Sequence, residues 1–470
     1  MKLQPYPVYK DSGVAWLGKV PEHWQMQRGK WLFRKMDRPV RDQDEVVTCF
    51  RDGTVTLRRN RRTRGFTESL KEIGYQGIRK GDLVIHAMDG FAGAIGVSDS
   101  DGKGSPVYAV CRPEDGVNSY FYAYLLREMA RTQWIMALAK GIRERSTDFR
   151  FTTFAGQDFP FPPLSEQAYI VRFLNQADRR IQRYILAKSK FIALLNEQKQ
   201  TIIHRAVTGQ FDVYTGLPYS VYKSSVMTGL SNVPEHWKVA PLCSIAKPRK
   251  ITNEEHRELL SVYLGRGVIP FTAAEEKRTN PTSEDLSKYQ LVEPGDFVLN
   301  NQQAWRGSVG VSRYWGIVSP AYLVLALDKQ LDQEFADKLL SDKIMVAQYL
   351  VCSKGVGSIQ RNLYWPHLKR VSVIIPPITE QEAIVRFLEE ATASLARVIE
   401  QTSREIDLIR EYRTRLISDV ITGKLDVREA VSGLSDELGE PDLIHEVDEI
   451  TDVDSDEISD FEEALEEVVI

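Results

Sequence analysis

From Pro162 to Val213 the apolar side chains return every three or four positions, and the pattern returns from Pro376 to Val427. In the first stretch one seam position holds Leu174, Ile181, Lys188, Leu195 and Ile202; the other holds Ile170, Ala177, Tyr184, Phe191 and Gln198. The second stretch offers Leu388, Leu395, Thr402, Ile409 and Leu416, with Ile384, Ala391, Val398, Glu405 and Tyr412. Two apolar positions in each heptad predict coiled-coil helices, interrupted here at Lys188, Gln198, Thr402 and Glu405. Pro-Pro before Ser165 and Thr379 favours an extended entry with a hydroxyl near the first free N–H groups, and Thr379 with Glu382 makes a capping-box pattern. Gly209 and Gly423 suit a left-handed helix end. The spacing predicts two helices of about 44 residues, each roughly 66 Å long at 1.5 Å per residue. Neither fits inside one small domain. Two in one chain most simply pair with each other, and an antiparallel pair suits an intervening domain that returns the chain.

The two stretches align without a gap, Pro162 on Pro376 and Val213 on Val427, with 21 identities in 52 positions. The repeat extends beyond them. Tyr9–Trp24 returns as Tyr222–Trp237, both ending in PEHW, one position out of step with the register of the helices. Between these landmarks the sequences diverge but keep common points in the helix register: Gly81-Asp82 and Gly295-Asp296, Gly96-Val97 and Gly310-Val311, Ser105-Pro106 and Ser319-Pro320, Lys140-Gly141 and Lys354-Gly355. LVIHAM, AIGVSD, VYAVCR, DFVLN, GSVGVS and YLVLAL read as short strands. Phe121–Leu138 and Gln333–Leu350 read as single helices. The expected fold is mixed α/β: globular domains at 1–160 and 214–375, helical regions at 161–213 and 376–427, and a tail at 428–470.

Charge changes the picture at the tail. Positions 428–470 carry 17 Asp or Glu and one Arg, whereas the rest of the chain carries 60 Lys or Arg and 48 Asp or Glu. The tail is expected to be disordered and solubilising, or to compete for basic faces as a nucleic-acid mimic. The basic body suits a polyanionic partner, although many soluble enzymes are as basic. Four scattered cysteines without a CxxC pair fit neither a zinc site nor a disulfide framework. With no signal peptide and no apolar run long enough to span a bilayer, they suit a cytoplasmic protein.

Catalytic patterns fail one by one. Gly13–Val20 nearly spells a phosphate loop but ends on Val20, which has no hydroxyl for a metal, and Pro21 follows. Gly90, Gly93 and Gly96 have the spacing of turns. There is no HExxH, no Asn-Pro-Pro-aromatic or Asp-Pro-Pro-aromatic motif, and no convincing catalytic carboxylate pair. His23 and His236, repeated in PEHW, suit packing at a helix–globule junction. No cofactor is expected in this chain.

The polar loops carry more. Arg58, Arg59, Arg61, Arg62 and Arg64 crowd one loop; Lys140, Arg143, Arg145 and Arg150 flank another. The second copy offers Asn301, Gln302, Gln303 and Arg306, then Lys354, Ser358, Gln360, Arg361 and Asn362. Arginine suits phosphates and guanine edges, and Asn and Gln suit adenine edges. These are the candidate DNA-binding residues; a solvated surface is the competing reading for each loop taken alone.

VPEHW before each globule, FPFPPLSEQAYIVRFL and VIIPPITEQEAIVRFL at the helix starts, and AVTGQFDV and VITGKLDV at the helix ends together resemble the specificity subunit of type I restriction–modification systems, to about Val427. The resemblance implies two target-recognition domains, each reading half of a split double-stranded DNA sequence. It implies an antiparallel helix pair that acts as a ruler, with pseudo-twofold symmetry. Two methyltransferase subunits, carrying S-adenosylmethionine, and ATP- and Mg²⁺-dependent restriction subunits would supply the chemistry. The alternative is a non-catalytic coiled-coil scaffold or regulator of protein partners. An unrecognised enzyme is a third reading, which the missing motifs disfavour. The acidic tail lies outside the family pattern.

Overall fold

The computed structural model describes residues 3–61, 73–138, 149–225, 227–273, 285–356 and 360–432. The chain forms two compact units, one of Met1–Lys188 with Glu405–Ile470, the other of Ser189–Arg404. The acidic tail beyond Ser432 lies outside the described residues.

In the first unit an antiparallel sheet runs in the order Phe33–Lys35, Tyr108–Pro113, Leu83–His86, Ile95–Val97. Successive side chains of a strand point to opposite faces, so Leu83 and Ile85 enter the large core with Phe121, Leu125 and Met129, while Val84 enters a smaller core with Val47, Val55 and Ile78. The sheet thus has a helix on one face and short hairpins on the other. The second unit repeats the order with Ala246–Pro248, Tyr322–Leu327, Asp296–Asn300 and Val309–Val311. The Gly-Asp landmark is a pinned turn in both. Asp82 accepts the Arg79 N–H at 2.8 Å and Arg38, and Asp296 accepts the Glu293 N–H at 2.9 Å and Arg249.

The long helices span Leu164–Val207 and Ile378–Ile421, 44 residues each. Gly209 and Gly423 end them with φ of +69° and +78°. Their starts differ from expectation. Both helices begin one residue before the hydroxyl, so Thr379 is inside the helix and makes no capping box. Pro163 and Pro377 carbonyls accept the first N–H groups instead.

Two further expectations are corrected. Each supposed single helix is broken: Ser119–Arg131 is followed by Trp134–Leu138, and Gln333–Leu340 by Lys343–Cys352. Gln133 at φ +61° breaks the first. Asp342 caps a new helix at the second, accepting the Ile344 N–H, and also holds His204 at 2.9 Å. The seam also drifts. Tyr184 and Tyr412 are exposed, whereas Ile185 and Ile406 are buried. A straight α-helix slips about 20° per heptad against an ideal seven-residue repeat, so along the helix the inward face comes to be shared between the seam position and the next residue; the Tyr184 hydroxyl still donates to Glu405. Of the seam's polar breaks, Lys188 and Glu405 meet as an ion pair at 2.9 Å, and Thr402 satisfies its hydroxyl on the Val398 carbonyl. Within the first unit the helix contacts run in opposite order, Asp178 with Arg413 and Lys188 with Glu405.

Candidate nucleic-acid interface

A buried carboxylate anchors the start of each long helix. Glu166, in the first turn of its helix, accepts Tyr6 Oη at 2.5 Å and Trp24 Nε1 at 2.9 Å, and bonds His23 Nε2 at 2.8 Å. Glu380 repeats the set with Tyr219 Oη, Trp237 Nε1 at 3.0 Å and His236 Nε2 at 2.8 Å. The next residue ties the helix start to a surface turn. Gln167 accepts the Asn118 N–H and donates to the Gly116 and Pro162 carbonyls; Gln381 accepts the Asp332 N–H and donates to the Gln330 and Pro376 carbonyls. The histidines therefore sit at the helix–globule junction, held by a carboxylate that the sequence offered only as part of a helix start.

In the second unit the structure joins two of the polar loops named from sequence. The Leu363 N–H donates to the Asn301 carbonyl at 3.0 Å. This sets the turn Asn301–Arg306 beside the hairpin in which Lys354 pairs Asn362, Gly355 pairs Arg361 and Val356 pairs Gln360. Gln302 and Arg306 are exposed, Gln303 and Asn301 partly so. Arg306 stacks on Trp305 at 4.7 Å, and Trp305 Nε1 donates to the Gln302 carbonyl at 2.8 Å. The buried Oδ1 of Asn301 has no hydrogen-bond partner among the described residues. Arg361 reaches the Leu350 carbonyl and Ser353 Oγ at 3.4 Å. Ser358 and the Gln360 side chain lie outside the described residues.

In the first unit Arg58 and Arg59 lie on a 3₁₀ turn after the strand Val55–Leu57, with Arg61 next. Arg58 Nε donates to Thr48 Oγ1 at 3.3 Å, and Arg59 pairs Glu45 at 2.6 Å. Arg61 pairs Asp52 and lies over the Phe50 ring. Burial would raise the Asp52 carboxyl, but the Thr54 N–H and the Arg61 guanidinium outweigh it and hold it below its ordinary range. Arg61 is thus the least available of the three. Arg150 is exposed just before the helix Phe151–Ala155. Arg62, Arg64, Lys140, Arg143 and Arg145 lie outside the described residues.

The sequence reading missed one loop. The Phe149 N–H donates to the Ala87 carbonyl at 3.1 Å. This is the same bond as Leu363 to Asn301, since both of its ends fall on equivalent positions of the repeat. The turn Ala87–Ala92, with exposed Met88 and the Arg51–Asp89 pair at 3.1 Å, is therefore the counterpart of Asn301–Arg306. It carries no Lys or Arg of its own, and the repeat register alone locates it.

No family model matches the chain. It is 22% identical over 446 residues to the MjaX specificity subunit assigned to a type I restriction enzyme of Methanocaldococcus jannaschii, covering 88% of this chain and 96% of that one. It is 19% identical over 441 residues to the EcoKI specificity subunit of the type I restriction enzyme of Escherichia coli K12, covering 87% and 90%. In fold it is similar to a chain of a type I restriction–modification system solved to explain complex assembly and conformational transition. The TM-score is 0.58 at 15% identity, over 86% of this chain and 99% of that one. The chain is thus related over most of its length to specificity subunits of type I restriction enzymes. Among the described residues no helix is long and apolar enough to cross a membrane.

Proposed function

We propose that this chain is the DNA sequence-recognition subunit of a type I restriction–modification complex and has no chemistry of its own. The globular domain at 1–160 reads one half of a bipartite target and the domain at 214–375 reads the other. The helical regions at 161–213 and 376–427 pair antiparallel as a coiled coil, set the distance between the half-sites, and dock two methyltransferase subunits and the restriction subunits. S-adenosylmethionine, ATP and Mg²⁺ belong to those partners.

One observation carries the reading. The same backbone bond, Phe149 to Ala87 and Leu363 to Asn301, places a divergent pair of loops on a common scaffold in each unit. A shared frame with different loops is what two readers of different sequences require. Arginine and lysine on these loops hold phosphates and fix register, while base-edge contacts specify sequence.

The test uses the chain assembled with its methyltransferase partners and a library of duplexes. Replacing Gln360, Arg361 and Asn362 with Ala should relax selectivity at one half-site only. Equal weakening at both would reject the assignment. Removing one heptad from both long helices should change the preferred spacer; an unchanged spacer would reject the ruler.

A further inference from the structure

The first unit holds a cavity of about 240 Å³ whose lining includes Gly53, Asp99, Tyr120, Tyr124, Arg127 and Asn175. The Arg127 side chain packs on the bare Cα of Gly53. A Cβ there would lie 2.7 Å from Cδ, Nε and Nη1 of the arginine. The carboxylates around it are committed elsewhere. Asp52 accepts from Arg61 and from the Thr54 N–H, and Asp178 accepts from Arg413 and Gln182. Among the described residues Arg127 has no hydrogen-bond or ion-pair partner. Burial weakens its hold on its proton, against the opposing pull of Tyr124 and Asp52. The guanidinium is half-buried, and with no side chain bonded to its fork it is open to an anion.

The scaffold does not demand this arginine. In the repeat register that matches the strand Ile95–Val97 to Val309–Val311, Arg127 falls on Ser341, which ends the helix Gln333–Leu340. Other donors face the same space. Tyr124 Oη donates to Asn175 Oδ1 at 2.8 Å, which leaves the Asn175 amide hydrogens for a further acceptor. The Tyr120 hydroxyl has no partner among the described residues.

We propose that this cavity binds phosphate as the inorganic ion or a monoester, with Arg127 gripping the phosphoryl oxygens. The planar guanidinium fork fits phosphate and carboxylate equally. Asp99 on the lining decides between them. Its Oδ1 already accepts the Ser100 hydroxyl at 2.5 Å; its other oxygen can accept from a phosphate monoanion or from the hydroxyl of an esterified sugar, whereas a carboxylate beside it brings only repulsion. Asn175 and Tyr120 donate to the remaining oxygens. The site is independent of DNA reading and stands whether or not the polar loops contact bases.

The experiment titrates the full chain with inorganic phosphate and with AMP as a representative monoester, against sodium chloride at matched ionic strength, by calorimetry and thermal unfolding. At least one probe should bind and raise the unfolding midpoint where chloride does not. Arg127→Gln should weaken that binding at least tenfold, and Arg127→Lys should fall between. Tighter binding of AMP identifies an ester as the ligand class; equal binding assigns the site to the phosphoryl group alone. If Arg127→Gln does not fold, Tyr120→Phe must weaken binding at least threefold. Binding unchanged in these variants, or both probes indistinguishable from chloride, overturns the proposal.

Discussion

The indole N–H of Trp24 donates to the carboxylate of Glu166 at 2.9 Å, across 142 positions of sequence. Both residues are buried, and Tyr6 and His23 share the same carboxylate. Glu166→Ala would orphan the buried donors around it, each worth about 1–3 kcal/mol. The expected loss is about 3–5 kcal/mol, read by denaturant unfolding. Hydrogen exchange should show lost protection in Tyr6–Trp24 first, and Glu380→Ala should do the same to Tyr219–Trp237. Uniform loss throughout the chain would contradict the local role.

The helix-ending glycines differ in kind from the left-handed glycines of open turns. At Gly423 a Cβ would lie 2.6 Å from Pro21 Cδ and 2.8 Å from Trp24 Cη2; at Gly209 it would lie 2.6 Å from Pro234 Cδ and 2.9 Å from Trp237 Cη2. At Gly13 and Gly216, with φ of +72°, nothing lies within 4 Å. Ala at either open site should cost about 1 kcal/mol from backbone conformation alone. Gly423→Ala and Gly209→Ala should cost roughly 2–4 kcal/mol, since overpacking adds to it. Thermal unfolding of the four variants checks the split.

Alkaline pH should weaken the Tyr6 junction. Burial, then the hydrogen bond and charge of Glu166, push the Tyr6 hydroxyl far above its ordinary 10.0. Because the folded value is raised, the stabilisation is complete below pH 10 and is lost as pH rises toward the folded value. Above pH 10 the loss from this one group is at most about 1.4 kcal/mol per pH unit. Tyr6→Phe should flatten that part of the stability profile between pH 10 and 11. A profile as steep as that of the unmodified chain would show that Tyr6 does not titrate differently on folding.

The turn Asn301–Arg306, proposed to read one half-site, offers a graded test. Gln302→Ala and Arg306→Ala, on exposed side chains of one turn, should each cost about 1–3 kcal/mol of discrimination if they make paired contacts to a base. The half-site read by the first domain should keep its selectivity in a methylation-site or binding-site survey. Loss confined to overall affinity, with a shallower salt dependence, would recast them as phosphate contacts.

The long helices were legible because their signals are local: Pro-Pro at each start and a left-handed glycine at each end bound them closely. The sheet strands were legible through their alternation. The breaks at Gln133 and Asp342 were not, since apolar periodicity continues through them and the break depends on one backbone conformation and one tertiary partner, His204. An ideal heptad period does not pick out Ile185 and Ile406, which are buried beside the seam positions Tyr184 and Glu405. The Glu-Gln pair after each Pro-Pro looked like helix-start chemistry. Its role as anchor for a Trp, a His and a Tyr from the far end of the same repeat exists only in three dimensions. The polar loops stand out by their basic and amide side chains, and the counterpart at Ala87–Ala92, which carries none of these, does not.

Tyr222 Oη bonds the Gln210 carbonyl, 12 residues back along the chain, and Tyr9 Oη bonds the Lys424 carbonyl, 415 residues forward. Gln4 bridges Asp426 in the same seam. The packing therefore treats a covalent neighbour and a distant segment alike. Connectivity is interchangeable at these two places: a rearranged gene that links Asp426 to Gln4 through a short peptide and opens the chain near Leu217 should encode the same set of contacts. Evolution could exchange a globular domain by recombination at either seam without relearning how to seat it.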